Sequence, residues 1–182
     1  MASFDDFKVR AEAVSAEVHR FPEKTPALDF IVCLLQKECA SDASAVWVAG
    51  TFLRGLDMAQ VCDAVPGLSF EVTRERAANA RVGISQMDWA IANTGTLVQD
   101  AAPIELRLAS TLPNIHIAIV DTSKILPDLP AIFARINPSY TNYLSMITGP
   151  SRTADIERVL TIGVHGPERL VIVFVDGLEE AN

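Results

Sequence analysis

Residues 45–49, 68–72, 115–120, 143–147 and 170–175 form short apolar runs, rich in Val and Ile, that barely alternate with polar residues. A strand with one wet face alternates at period two, so runs that do not alternate predict strands covered on both faces, as in a parallel sheet. Stretches with the helical period separate most of these runs, at residues 57–64, 73–80, 103–112, 129–136 and 153–162. The chain is therefore expected to be α/β, with a mostly parallel sheet and helices on both faces.

Two helices are predicted before the first run. Ser3 and Asp6 have capping-box spacing ahead of Phe7, Val14 and Val18, giving an amphipathic helix over residues 3–19. Thr25 as cap and Pro26 as first helical residue start a second helix. Nothing between residues 1 and 182 reads as a linker or repeat, and 49% hydrophobic residues suffice for one core. A single domain over 1–182 is expected, with the helices of about 3–40 packed on its sheet.

Charge narrows the partners. A net charge of -8 argues against nucleic acid and against anionic membrane surfaces, both of which need clustered Lys and Arg. The opening MASFDDFKVR lacks the apolar core of an export signal, and no apolar run approaches the roughly 20 residues that span a bilayer, so a cytoplasmic location is expected. Cys33, Cys39 and Cys62 form no C-x-x-C pair and sit among apolar neighbours, which predicts buried thiols.

Two glycine-centred segments carry the candidate site. In residues 147–175, Gly149 and Pro150 break a strand, and Ser151 or Thr153 can cap a following helix whose free amides would attract an anion. Arg152 beside that start would add its charge, and Arg107 is a second cation able to hold a carboxylate. His165 lies between Gly163 and Gly166, either as a proton carrier or as part of a turn. Mid-chain, Ser85 and Asp88 have capping-box spacing, and Asn93, Thr94, Gly95 and Thr96 read either as a hairpin turn or as a nest for a ligand oxygen. Both glycine loops are expected at the carboxyl ends of parallel strands, where open α/β sheets bind ligands. No Rossmann fingerprint and no clustered metal ligands are apparent, so no cofactor or metal is expected in this chain.

The strings AIANTGTL, LASTLPNIHIAIV and ITGPSRTADIERVLTIGVHGPERL resemble the LUD domain family of lactate-utilisation proteins, strongly over residues 82–175. The resemblance implies a fold similar to the NagB, ribose-phosphate isomerase and CoA-transferase group. It also implies a part in bacterial oxidation of L-lactate to pyruvate beside separate iron-sulfur subunits, with a small organic anion as possible ligand. Three dispersed cysteines fall short of the four thiolates of such a cluster, so this chain would be a non-redox subunit or accessory. Where the family has a glutamate, this chain has Asn93, which cannot act as base or nucleophile and leaves Asp88 as the nearby carboxylate. The alternative is an independent enzyme of CoA-transferase-like or formyltetrahydrofolate-cycloligase-like fold, acting on a phosphorylated or CoA-linked small molecule.

Overall fold

The computed structural model describes residues 3–40, 43–137, 139, 143–153, 161–162 and 166–178. The chain runs α1 (Phe4–Ala13), β1 (Glu17–Phe21), α2 (Lys24–Glu38), β2 (Ser44–Trp47), α3 (Met58–Ala64), β3 (Leu68–Ser69), α4 (Arg74–Asn79) and β4 (Ala80–Gln86). It continues through β5 (Trp89–Ile91), β6 (Thr96–Asp100), α5 (Ile104–Thr111), β7 (Ile115–Asp121), β8 (Ile125–Leu126), α6 (Leu129–Phe133) and β9 (Leu144–Ile147), then the short pair β10 (Arg152–Thr153) and β11 (Thr161–Ile162), and β12 (Arg169–Val175).

Six strands form one sheet in the order β1-β12-β7-β4-β2-β3, and every neighbouring pair is parallel. The α/β class follows, and the burial pattern explains it. In β7 and β12 all but one residue is buried, because alternate side chains enter two different cores. Ile115, Ile117 and Ile119 join Val171 and Val173 against Ala27, Ile31 and Leu35 of α2. The intervening Ala118, Val120, Ile172 and Phe174 meet Phe7 and Ala11 of α1 on the opposite face. Phe174 is wedged edge-on between Phe4 and Phe7, at centroid distances of 5.3 and 5.0 Å.

A second, four-stranded sheet in the order β8-β5-β6-β9 hangs from the carboxyl ends of β4 and β7. Its β5–β6 and β6–β9 pairs are antiparallel. Residues 143–147 therefore supply an antiparallel strand here, not a strand of the parallel sheet. The run is half-covered, and only the tertiary partner distinguishes the two cases.

Local signals fixed several boundaries. Asp57 caps α3 through Ala59 and Gln60 amides, and Thr73 caps α4 through Arg76. Elsewhere packing overrode them. The predicted first helix ends at Ala13, and the next residues turn through Ser15 at φ 71° into β1, so Val18 is a strand residue paired with Ile172. The second helix begins two residues before Pro26 and has Glu23 at its N-cap, without a side-chain cap bond. Ser85 and Asp88 do not form a capping box, because Ser85 lies inside β4, an element with no apolar run to announce it. Residues 152–153 and 161–162 pair as antiparallel strands, so the two ends of the helix expected over 153–162 are extended; residues 154–160, where Ser151 or Thr153 was to start that helix, lie outside the described residues. Cys33 is exposed and Cys39 and Cys62 are partly so, contrary to the buried thiols expected, because Cys33 faces away from the sheet on α2.

Candidate functional site

The two glycine loops do come together, but on α1. Gly95 closes the β5–β6 hairpin at φ 66°, and a Cβ there would lie 2.4 Å from the Ala11 amide nitrogen. Gly149 follows β9 at φ 71°, and its Cβ would lie 2.5 Å from the Val14 carbonyl oxygen. Both positions need glycine for the left-handed backbone and for the close approach of the first helix. Thr96 and Thr148 share a hydrogen bond of 2.8 Å between their hydroxyls, and Arg152 Nη2 donates to Ser15 Oγ at 2.9 Å. The loops expected on the carboxyl rim of the parallel sheet are thus in the second sheet, holding the end of α1.

The remaining candidates are spread out. Asn93 and Thr94 are exposed on the hairpin, and the Asn93 amide donates to the Pro127 carbonyl at 3.2 Å. Asp88 is exposed in the turn after β4, where its Oδ2 accepts from the Asp100 amide at 2.6 Å. Ser151 donates its amide to the Pro167 carbonyl at 2.8 Å, which draws the two flanks of residues 147–175 together. Thr153 is in β10, paired with Thr161, and His165 lies outside the described residues.

Topology points to a different place. From β2 the chain departs toward the β3 edge, whereas from β4 it departs toward β7 and β12, so the connections diverge between these neighbours. Open parallel sheets bind ligands at such a switch point, outside the carboxyl ends. Here the Gln86 side chain spans the gap. Its Oε1 accepts from the Phe52 amide at 2.9 Å and its Nε2 donates to Thr51 Oγ1.

Gln99 of β6 reaches the same strand end, donating Nε2 to the Gln86 carbonyl at 2.7 Å. Only 1% of Gln99 is exposed, yet its Oε1 has no hydrogen-bond partner among the described residues. Gln99 pairs in register with Ser145 of β9, whose shielded Oγ is also without a partner among them. Arg107 of α5 approaches the same ladder. Its Nη1 donates to the carbonyls of Ala101 and Ala102, and its guanidinium carbon stands 4.5 Å from the centroid of the Tyr143 ring. Of these residues, only Arg107 was a candidate from sequence. Gln99 carried one legible sign: at period two it shares a face with Leu97, which is fully buried.

A second unforeseen polar pair is internal. His116 of β7 is fully buried, and its Nε2 lies 2.9 Å from Ser85 Oγ. Ser85 Oγ in turn faces Met87 Sδ at 3.9 Å, so the tautomer assigned is the one in which Nε2–H donates to Ser85. Burial pushes the imidazole down from 6.5 to about 4, because a charged ring there would have no water.

A wholly parallel main sheet with a smaller sheet suspended from its carboxyl ends defines an α/β protein whose polar groups gather where the two sheets meet. The chain belongs to the LUD domain family, whose profile matches residues 4–175. It is 40% identical over 114 residues to lactate utilization protein C of an Exiguobacterium species, covering 59% of this chain and 50% of that protein. The corresponding protein of Bacillus subtilis is 32% identical over 148 residues, 78% of this chain and 55% of the relative. The chain thus spans about half the length of the curated relatives it matches. A crystal structure of a DUF162 family protein from Deinococcus radiodurans superposes with a TM-score of 0.62 at 17% identity, covering 94% of each chain, and shares the fold.

Proposed function

We propose that the chain serves a bacterial L-lactate utilisation system as a component without a redox centre, beside separate iron-sulfur subunits that carry out the oxidation to pyruvate. The observation that carries this reading is the similarity to proteins named lactate utilization protein C, at 32% identity over 78% of the chain in one case. Cysteine content supports the division of labour: the sequence has three cysteines, Cys33 and Cys39 on or beside α2 and Cys62 on α3, too few for a four-thiolate cluster. No helix among the described residues is long and apolar enough to cross a membrane. On this reading the chain acts in the cytoplasm.

Deletion of the coding sequence should abolish growth on L-lactate as sole carbon source while leaving growth on pyruvate intact, and tagged protein should co-purify with iron-sulfur polypeptides. Undiminished growth on lactate would refute the proposal.

A further inference from the structure

We propose that the junction of α5, β6 and β9 is a binding site for a small hydroxycarboxylate, with Arg107 taking the carboxylate and Gln99 Oε1 accepting from the hydroxyl. Strand register places the participants on one face. Gln99 and Ala101 follow Leu97 at every second residue on the β6 side, and Tyr143 and Ser145 precede Ile147 at the same spacing on the β9 side. Leu97 and Ile147 belong to the core between the two sheets, so Gln99 and Ser145 point into that space, toward the end of β4 that Gln99 Nε2 contacts.

Three unsatisfied capacities lie along this ladder. A buried carbonyl oxygen without a donor is costly, and Gln99 Oε1 is one. The Ser145 hydroxyl, cross-strand from it, can donate as well as accept. Arg107 spends Nη1 on backbone carbonyls, which leaves Nη2 and Nε without partners among the described residues. Those two atoms form one edge of the guanidinium, the edge that grips a carboxylate with two parallel bonds. The Tyr143 ring packs on the guanidinium face and is itself 51% exposed, so it marks the mouth of the site. Together the groups offer a cation, a hydroxyl and an acceptor: a carboxylate meets the first two and an adjacent hydroxyl the third. A keto acid of the same shape brings an acceptor oxygen against Gln99 Oε1 and should be rejected.

The choice of lactate as the test ligand rests on the lactate-utilisation reading, whereas the site itself rests on geometry. Purified full-length protein is titrated calorimetrically with L-lactate, propionate and pyruvate, and the titrations are repeated on Gln99→Leu and Arg107→Met after confirming their thermal melts. Lactate should bind about tenfold more tightly than propionate or pyruvate, since each lacks the hydrogen donated to Gln99. Gln99→Leu should bring lactate and propionate within about threefold of each other, and Arg107→Met should weaken both by about tenfold or more. Should either variant fail to fold, the three-ligand comparison on the wild-type protein decides alone. Absence of saturable lactate binding up to tens of millimolar, or equal affinity for all three acids, overturns the site. A lactate growth defect with no lactate binding would refute this site and leave the utilisation role standing.

Discussion

Acidification should destabilise this protein through His116, starting as the pH falls below about 6.5. The ring is neutral and buried in the native state, with its pKa lowered to about 4, but titrates near 6.5 when the chain unfolds. The folded value is the lower one for a base, so between these limits the unfolded state binds the extra proton. Stability is then fully present above about pH 6.5 and is lost as pH falls toward 4. The gap of 2.5 between the two values corresponds to a maximum of about 3 kcal/mol, of which about 2 kcal/mol is lost between about pH 7.5 and 5. His19 is shifted the same way by partial burial and adds to the slope, so the comparison must isolate one ring. Urea unfolding at steps across this range, on wild type and on His116→Gln, does so. The variant keeps an amide donor for Ser85 but cannot titrate, and its loss of stability over the interval should be smaller by about 2 kcal/mol. Parallel pH dependences in the two proteins would show that His116 is not held neutral by burial, and the assigned Ser85 contact would fall with it.

Two further perturbations test the packing. Gly149→Ala or Gly95→Ala forces a Cβ onto a left-handed backbone and into the main chain of the first helix, at 2.5 Å from Val14 O or 2.4 Å from Ala11 N; each should cost about 3 kcal/mol or more. A fall in Tm of several degrees with faster proteolysis within α1 is expected, and a change below about 1 kcal/mol would refute the contact. Arg169 donates to Glu17 at 2.8 and 3.1 Å and to Glu38 at 2.7 Å, and the Glu38 side chain is only 12% exposed. Arg169→Met should therefore cost about 1–2 kcal/mol at neutral pH, discounted for the solvent that reaches Arg169. The hydrogen bond from Arg169 holds the Glu17 carboxyl below its ordinary 4.5, a contribution present above that value and lost as pH falls through the native one. Equal denaturant midpoints for variant and wild type at pH 7 would remove the network from the account.

Where a residue's environment is local, the sequence was readable. Asp57 and Thr73 cap their helices because the amides they satisfy are two or three residues away, and 115–120 and 170–175 became central strands because both faces demanded apolar atoms. The strand β4 was opaque for the opposite reason. Gly83 interrupts its pattern because a Cβ would stand 2.0 Å from the Ala109 carbonyl oxygen of α5, and Ser85 interrupts it to meet His116, 31 residues away in the chain. The candidate site divides along the same line. Gly95 and Gly149 lie in loops that do come together, but on the end of α1 and not on the carboxyl rim of the parallel sheet, a surface that no local pattern specifies. Gln99 and Ser145 looked like ordinary strand residues, and their interest comes from missing partners, a property of the assembled fold alone.

The strand order has a consequence for how the protein is made. β1, the first strand, has one neighbour in the sheet, and that neighbour is β12, paired Glu17 with Val171 through Phe21 with Val175. During synthesis the amino-terminal strand therefore waits unpaired while about 150 residues follow it. Phe4 and Phe7 of the helix beside it wait as well, since the Phe174 ring they enclose is made just as late. Closing so long a loop is slow, and apolar surface left open for that interval invites aggregation. A nascent chain with this strand order is thus open to aggregation until β12 emerges, and a stop codon ahead of Arg169 would leave β1 unpaired and Phe4 and Phe7 uncovered at once.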